Sequence, residues 1–146
     1  MSWLFQRPAA AHLAAVRDLL VTAELPSEDV AEHLDHFLVV WDGERLAGIV
    51  GMEMRDSGGL LRSLAVDKVY RGTGLGKALT REILSYAGSK GIANVGLLTT
   101  TAEKFFAKLG FKSIPREEIP DWIKASREYT VYCPSTAVCM LKRVTQ

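Results

Sequence analysis

Residues 60–76 read Leu60-Leu61-Arg62-Ser63-Leu64-Ala65-Val66-Asp67-Lys68-Val69-Tyr70-Arg71-Gly72-Thr73-Gly74-Leu75-Gly76. An apolar run gives way to a glycine-rich turn, and the chain beyond it keeps helical spacing. Leu75, Leu79, Ile83, Leu84 and Ala87 fall near one 3.6-residue face, which predicts a helix over 77–90. Glycines at 72, 74 and 76 admit positive φ without a Cβ penalty, so successive N–H groups can point at one ligand. The stretch therefore reads as a strand feeding an anion cradle at the positive end of a helix. Spacing excludes two phosphate motifs. A P-loop needs Gly where Arg71 stands and Ser or Thr where Ala78 stands. The dinucleotide fingerprint needs its third glycine at Lys77.

The flanking sequence supplies the other elements. Residues 2–6 read as a short edge strand ended by Arg7-Pro8. A helix over 9–23 carries Leu13, Val16, Leu19 and Leu20 on one face, and Leu25-Pro26 breaks it. Ser27 reads as the N-cap of a short helix running to about Leu34, with Glu28 and Asp29 in its acidic first turn. Strands at 36–41 and 45–54 flank Asp42-Gly43-Glu44, a hairpin signal, and a second hairpin through Asp56-Ser57-Gly58-Gly59 leads into the strand 60–66. Gly91 stops the long helix, and 94–99 is a buried-looking strand. Thr101 is placed to cap a helix over 102–109, and 111–114 is a strand. Residues 115–135 are irregular with one helical stretch near 119–126, and 136–144 closes the sheet. The order β-α-α-β-β-β-α-β-α-β-β fits a single α/β domain over 1–146, one mixed sheet flanked by helices.

Composition narrows the partners. Eighteen Lys+Arg against seventeen Asp+Glu leave a formal charge of +1, so nothing in the bulk balance calls for nucleic acid or an anionic membrane. No segment approaches the ~18 uninterrupted apolar residues of a membrane span, and the amino terminus lacks a signal-peptide pattern. A cytoplasmic protein is expected. Cys133 and Cys139 stand six positions apart without nearby histidines, which is not zinc spacing, and no metal is expected. They read as reduced structural thiols, with an arsenical-binding pair as the alternative.

The spacing that does fit is Arg71-x-x-Gly74-x-Gly76 behind Ser63-Leu64-Ala65-Val66-Asp67. It resembles the coenzyme A pyrophosphate loop of GNAT-type N-acetyltransferases, and the order of elements is similar to the GNAT fold over nearly the whole chain. Within that family, Leu97-Leu98-Thr99-Thr100-Thr101-Ala102, Phe105-Phe106, Leu109-Gly110-Phe111, Arg127-Glu128-Tyr129 and Cys133-Pro134-Ser135-Thr136-Ala137 resemble a narrower group. It comprises the acetyltransferase domain of N-acetylglutamate synthases and the small amino-acid N-acetyltransferases grouped with arsenic-resistance genes. The resemblance implies a mostly antiparallel sheet of about seven strands with about four helices, splayed between its fourth and fifth strands (60–66 and 94–99). It also implies acetyl-CoA as cofactor and a small-molecule amine acceptor bearing a carboxylate, such as an amino acid or a glutamate-like toxin. Acetylation of a protein or peptide amine and a non-catalytic acyl-CoA sensor stand as alternatives. The oligomeric state stays open, a homodimer being one option.

By the same resemblance, backbone groups of Leu64, Ala65 and Val66 pair with the pantetheine arm. The Leu64 amide would polarise the thioester carbonyl, a contribution of about 3 kcal/mol in other acyl-transfer sites. Arg71 and the amides around Gly72, Thr73, Gly74, Leu75, Gly76 and Lys77 would hold the pyrophosphate, with Thr100 and Phe105 also against the cofactor. The acceptor amine must lose a proton before it attacks. Family members often carry Glu near the start of the fourth strand, where this chain has Leu60. Glu53, inside an apolar run, is the substitute base, and His36 a second candidate. Arg62, with Ser63 beside it, is expected to fork onto the acceptor carboxylate. Glu53 and Arg62 share a sheet face only if their hairpin loop has an even residue count. The family's tyrosine acid is replaced by Phe106, as in the narrower group. A thiol pKa of about 8.5 makes an acid dispensable, while Tyr129 and Tyr132 are substitutes. The long segment 116–135 brings forward Arg127, Glu128 and Ser135 as acceptor contacts. Neither cysteine has a histidine neighbour, which favours direct attack without a covalent enzyme intermediate.

Overall fold

The structure, a computed structural model, describes residues 3–55, 58–132 and 135–144. Among them are six strands: β1 (Phe37–Asp42), β2 (Arg45–Arg55), β3 (Gly58–Val66), β4 (Asn94–Thr99), β5 (Lys112–Ile114) and β6 (Val138–Arg143). They are hydrogen-bonded in the order β1-β2-β3-β4-β6-β5. The β3–β4 pair is parallel, and β1–β2, β4–β6 and β5–β6 are antiparallel. The α-helices are α1 (Leu13–Thr22), α2 (Val30–His33), α3 (Leu75–Ser89), α4 (Glu103–Lys108) and α5 (Asp121–Lys124). The mixed α/β architecture is as expected, with one strand fewer. Of the strand expected over 2–6, Ser2 lies outside the described residues and 3–6 do not form one: Gln6 makes a single antiparallel bridge to Val39. Toward the chain start the next residue in ladder phase is Leu4, opposite Trp41, where the β1–β2 ladder shifts register between Val40 and Trp41, and the pairing does not extend there.

The residues fall into two compact units, Met1–Glu53 with Leu61–Tyr86, and Met54–Leu60 with Ala87–Gln146. In the first, α1 lays Val16, Leu19 and Leu20 into a core with Val30, Phe37, Val39, Leu46, Ile49 and Ala65. The apolar spacing of 13–20 is what makes that face continuous. A 3-10 turn, Ala10–His12, leads into α1. The β1–β2 hairpin turns at Gly43, whose φ is +61°. A Cβ at Gly51 would stand 2.4 Å from the Phe37 ring. One at Gly48 would stand 2.8 Å from Leu79 and 3.1 Å from Leu75, so α3 lies tight against β2. The short helix before β1 is shorter than expected. It begins after Asp29 rather than Ser27, and Leu34–His36 continues it as a 3-10 turn, which delays β1 to Phe37. Within β3, Ser63 has φ +61°, a left-handed backbone that its neighbours do not share.

In the second unit β6 pairs with β4 from Asn94↔Arg143 to Thr99↔Val138, and with β5 on its other edge. Its core gathers Leu60, Ile119, Ile123 and Cys139, with Trp122 and Tyr129 packed against it. Thr99, not Thr101, tends the start of α4, its Oγ1 accepting the Ala102 N–H at 3.0 Å. The segment expected to be irregular is built from a 3-10 turn (Arg116–Glu118), α5 and a π-helical turn (Glu128–Tyr132). Asp56 and Ser57 of the second hairpin and Cys133 lie outside the described residues, as does the Tyr132 side chain. Among the described residues, no helix is long and apolar enough to cross a membrane.

Candidate active site

The glycine loop and a buried ion network both belong to the first unit. The loop starts from a 3-10 turn, Lys68–Tyr70, held by Asp67. The Asp67 carboxylate accepts the Val69 N–H at 2.9 Å and Arg45 Nη2 at 3.3 Å, and these hold it below the ordinary carboxylate range, the backbone bond foremost. Tyr70 donates its hydroxyl to Asp42 Oδ2 at 2.6 Å, which raises the phenol above its ordinary value. The turn then runs through Gly72 (φ +81°) and Gly74 (φ +86°) into α3. Gly76, expected to share their backbone, is instead the second residue of the helix.

The first helical hydrogen bond runs from Ala78 N–H to the Gly74 carbonyl at 3.0 Å. The amides of Leu75, Gly76 and Lys77 precede it and have no helical carbonyl to bond. The Thr73 amide, expected in the cradle, is turned instead to the Tyr70 carbonyl at 3.3 Å. A Cβ placed at Gly72 or Gly74 meets nothing within 4 Å, so the space above the loop is open, and Arg71 is exposed beside it. A turn with left-handed glycines at 72 and 74 ahead of free helix-start amides suits a diphosphate.

The second feature centres on Arg62. Its side chain is 0% exposed, and those of Asp29 and Glu53 are 1% exposed. Nη1 and Nη2 fork onto Asp29 Oδ2 and Oδ1 at 2.7 and 2.6 Å, and Nη1 also donates to Glu53 Oε2 at 2.9 Å. Nε donates to Ser63 Oγ at 3.1 Å. Adjacent strand residues ordinarily face opposite ways, so this last bond depends on the left-handed Ser63. Burial alone would raise the Asp29 carboxyl. The Arg62 hydrogen bonds and charge, aided by His33, outweigh burial and hold it below the ordinary range. His33, one turn along α2 from Asp29, brings Nε2 to 3.7 Å from Asp29 Oδ2 and 3.8 Å from Glu53 Oε1.

This network corrects one expectation and resolves another. Arg62 does share a face with Glu53, but its fork is engaged by Asp29 rather than open to a substrate. An acceptor carboxylate could reach that guanidinium only by displacing Asp29. Asp29, His33 and Glu53 present ligand atoms within 4.8 Å of one another, a spacing a cation could use. The Arg62 guanidinium already stands between the carboxylates as their counter-charge, and a metal ion there would meet a like charge. Asp29 and His33 were not singled out in the sequence. An Asp in a first helical turn carries no mark distinguishing a cap from a buried partner.

The other candidates are placed as follows. Leu64 and Val66 are half-buried and Ala65 is buried. His36 shares a 2.7 Å hydrogen bond with Tyr86 Oη, away from Glu53. In the second unit, Thr100 and Arg127 are exposed and Glu128 is half-buried. Ser135 is exposed and accepts Arg116 Nη2 at its carbonyl at 2.8 Å. Tyr129 accepts from Arg116 at 3.4 Å. Phe105 meets Phe106 edge-on at 5.0 Å, and the buried Phe106 meets Phe111 at 5.6 Å, a packing role that needs no hydroxyl.

A family model described as an acetyltransferase (GNAT) domain matches residues 33–113. The chain is 28% identical over 107 residues to the N-acetyltransferase YjcF of Bacillus subtilis, covering 73% of this chain and 76% of that one. It is 30% identical over 106 residues to human N-acetyltransferase 8B, covering 66% of this chain and 47% of that one. Among solved structures, N-acetylglutamate synthase from Neisseria gonorrhoeae, complexed with coenzyme A and N-acetyl-glutamate, is similar at a TM-score of 0.88 and 18% identity. That match covers all of this chain but 36% of the synthase. Rv2747 from Mycobacterium tuberculosis, in complex with CoA and NLQ, is similar at 0.80 and 20% identity, covering 96% of this chain and 98% of that one. With the family match running from the end of α2 into β5, through the glycine loop and every member of the ion network but Asp29, the chain belongs to the GNAT acetyltransferase family.

Proposed function

We propose that the protein is an acetyl-CoA dependent N-acetyltransferase that acts by direct transfer on the amine of a small, carboxylate-bearing acceptor. The observation that carries this reading is the open cradle at Gly72 and Gly74, followed by the unclaimed amides of Leu75, Gly76 and Lys77. These amides and Arg71 would hold the diphosphate, and the backbone of Leu64, Ala65 and Val66 the pantetheine arm. Bound acetyl-CoA supplies an activated acetyl thioester. The left-handed residue at 63 interrupts the regular ladder just before the Leu64 amide, which supports that amide as the donor to the thioester oxygen. Glu53 is the proposed base: a buried carboxylate kept in place by a guanidinium. The small-acceptor reading is supported by the similarity to a synthase solved with N-acetyl-glutamate.

Calorimetric titration with acetyl-CoA tests the first half. A measurable heat of binding is expected, and none at up to about 1 mM ligand, the range of a ~4 kcal/mol interaction, would refute it. Release of free thiol across a panel of amino acids and short peptides tests the second. Turnover confined to peptides would replace the small acceptor with a protein amine, and binding without turnover on any amine would leave an acyl-CoA sensor.

A further inference from the structure

We propose that His33 is the proton outlet of Glu53, and that the Arg62–Asp29 fork is the device that positions it. The inference rests on the reading of Glu53 as the base.

The argument starts from how α2 is held. A helix of four residues, Val30–His33, does not stand alone in water, where chains below ~12–15 residues are marginal. Val30 enters the apolar core at one end. Asp29, the residue before it, is gripped by both Nη atoms of Arg62. Residues four apart lie on one helical face, so fixing Asp29 aims His33 at the same cluster. Its Nε2 reaches 3.8 Å from Glu53 Oε1, while Oε2 of the same carboxylate is taken by Arg62. Glu53 thus has one oxygen anchored and the other turned to the imidazole. A gap of 3.8 Å is crossed by one bridging water or by the tightening that catalytic contacts undergo when substrate binds.

Charge leads to the same assignment. With His33 neutral, Asp29, Glu53 and Arg62 sum to one negative charge, and a net charge is costly to bury. One further proton on the Glu53–His33 pair neutralises the cluster. Asp29 and Arg62 are sealed, but the His33 side chain is 25% exposed, so the proton can leave through it alone among the four. Among the described residues, Asp29 at 3.7 Å and Glu53 at 3.8 Å are the charged groups that face His33, Arg62 acts on it through them, and Glu32 of the same helix is exposed.

The steps balance. One N–H bond of the acceptor ammonium breaks and its proton reaches Glu53 Oε1 through a single water, so that the freed lone pair makes the N–C bond. The C–S bond breaks and the sulfur leaves with its electron pair; the acetylated nitrogen loses its second proton to water, which replaces the one the sulfur takes from water. The Glu53 proton passes to His33 Nε2, and the imidazolium loses a proton to solvent. His33 is a positioning and relay residue, since it touches the base and not the substrate.

Two measurements test this. In the free protein, the NMR signal of the His33 ring needs no acceptor: Glu53→Gln is expected to move the Nε2 resonance, because the carboxylate oxygen facing it is gone. An unmoved resonance in a variant with a native-like spectrum overturns the relay while leaving acetyl transfer standing. Because Glu53→Gln removes a buried charge and can unfold the chain, His33→Gln, on a half-exposed side chain, is the second arm. With the best amine from the acceptor panel, kcat should fall about 10²-fold with the KM for acetyl-CoA unchanged, and added imidazole should restore it. Full activity in His33→Gln, or loss that imidazole does not repair, overturns the proposal. Wild-type rates in Glu53→Gln would refute the base assignment itself, a different failure.

Discussion

Replacing Arg62 by Met keeps the length and apolar stem of the side chain and removes the charge that Asp29 and Glu53 share. Both carboxylates are 1% exposed, so neither can turn to water without opening the core. Three charge-assisted bonds of 2.6–2.9 Å are lost at once. Deleting one partner of a buried pair costs about 3–5 kcal/mol, because the uncompensated charge remains behind. Against a total stability of about 5–15 kcal/mol, that is a large fraction. With a urea slope near 2 kcal/mol/M, the midpoint of unfolding should fall by about 2 M at neutral pH. The size of the loss should depend on pH. In the wild type the guanidinium holds the Asp29 carboxyl below its ordinary range, whereas in Arg62→Met burial, the largest influence, is opposed only by His33 and a backbone hydrogen bond and favours the protonated form. The difference between the two proteins should therefore narrow as pH is lowered. The triple variant Arg62→Met, Asp29→Asn, Glu53→Gln should recover much of the loss, since no charge is left stranded. Urea titrations followed by far-ultraviolet circular dichroism at several pH values measure all of this. A loss below about 1 kcal/mol at neutral pH, the range of an exposed pair, would refute the account of Arg62 as the keystone of a sealed network.

Further outcomes follow from other contacts. Wild-type Asp29 binds its proton more weakly folded than unfolded, so its contribution is complete above the unfolded value of about 3.9 and is lost as pH falls through the folded value. Urea midpoints that stayed flat through that acid range would contradict it. Tyr70 is the opposite case: its phenol is raised by Asp42, so that contribution is present below about pH 10 and lost as pH rises through the folded value. Asp42→Asn should bring the Tyr70 ionisation down, read from phenolate absorbance after subtracting the Tyr70→Phe curve. Gly74→Ala puts a side chain at φ +86° with no neighbour within 4 Å, so it should cost only the backbone strain, about 1–2 kcal/mol, yet weaken acetyl-CoA binding in calorimetry. Gly51→Ala drives a Cβ to 2.4 Å from the Phe37 ring and should cost about 1–3 kcal/mol in urea while leaving acetyl-CoA affinity alone.

Local signals were the ones the sequence displayed plainly. The glycine loop, the helix after it and the Asp42-Gly43 hairpin depend on residues within a few positions of one another, and each lies close to its expected place, the helix starting at Leu75 so that it takes in Gly76. What could not be seen depends on distance. Asp29 and Arg62 are 33 positions apart, and no local pattern announces that one will grip the other. Glu53 was read as a base inside an apolar run, and nothing local showed that Arg62 would bond it in a buried site. The face shared by Glu53 and Arg62 hung on a loop count, which the direct 2.9 Å bond answers. The first strand failed where β1 and β2 shift register beside Trp41, which no pattern within residues 3–6 announces.

Ser63 carries a consequence for how β3 can be altered. Arg62 turns toward Asp29 and Glu53, and Ala65 enters the apolar core that includes Val30 and Ile49. These two residues sit on the same side of the sheet although they are three positions apart, an odd number that a regular pleat forbids. The strand is thus two half-strands of opposite phase, joined where Ser63 is left-handed. Removing or adding one residue there would bring the halves back into step and turn one of them over. Either the ion network or the apolar lining would then face the wrong way. A side-chain exchange in β3 is felt where it is made, whereas a change of its length by one turns over a whole half-strand.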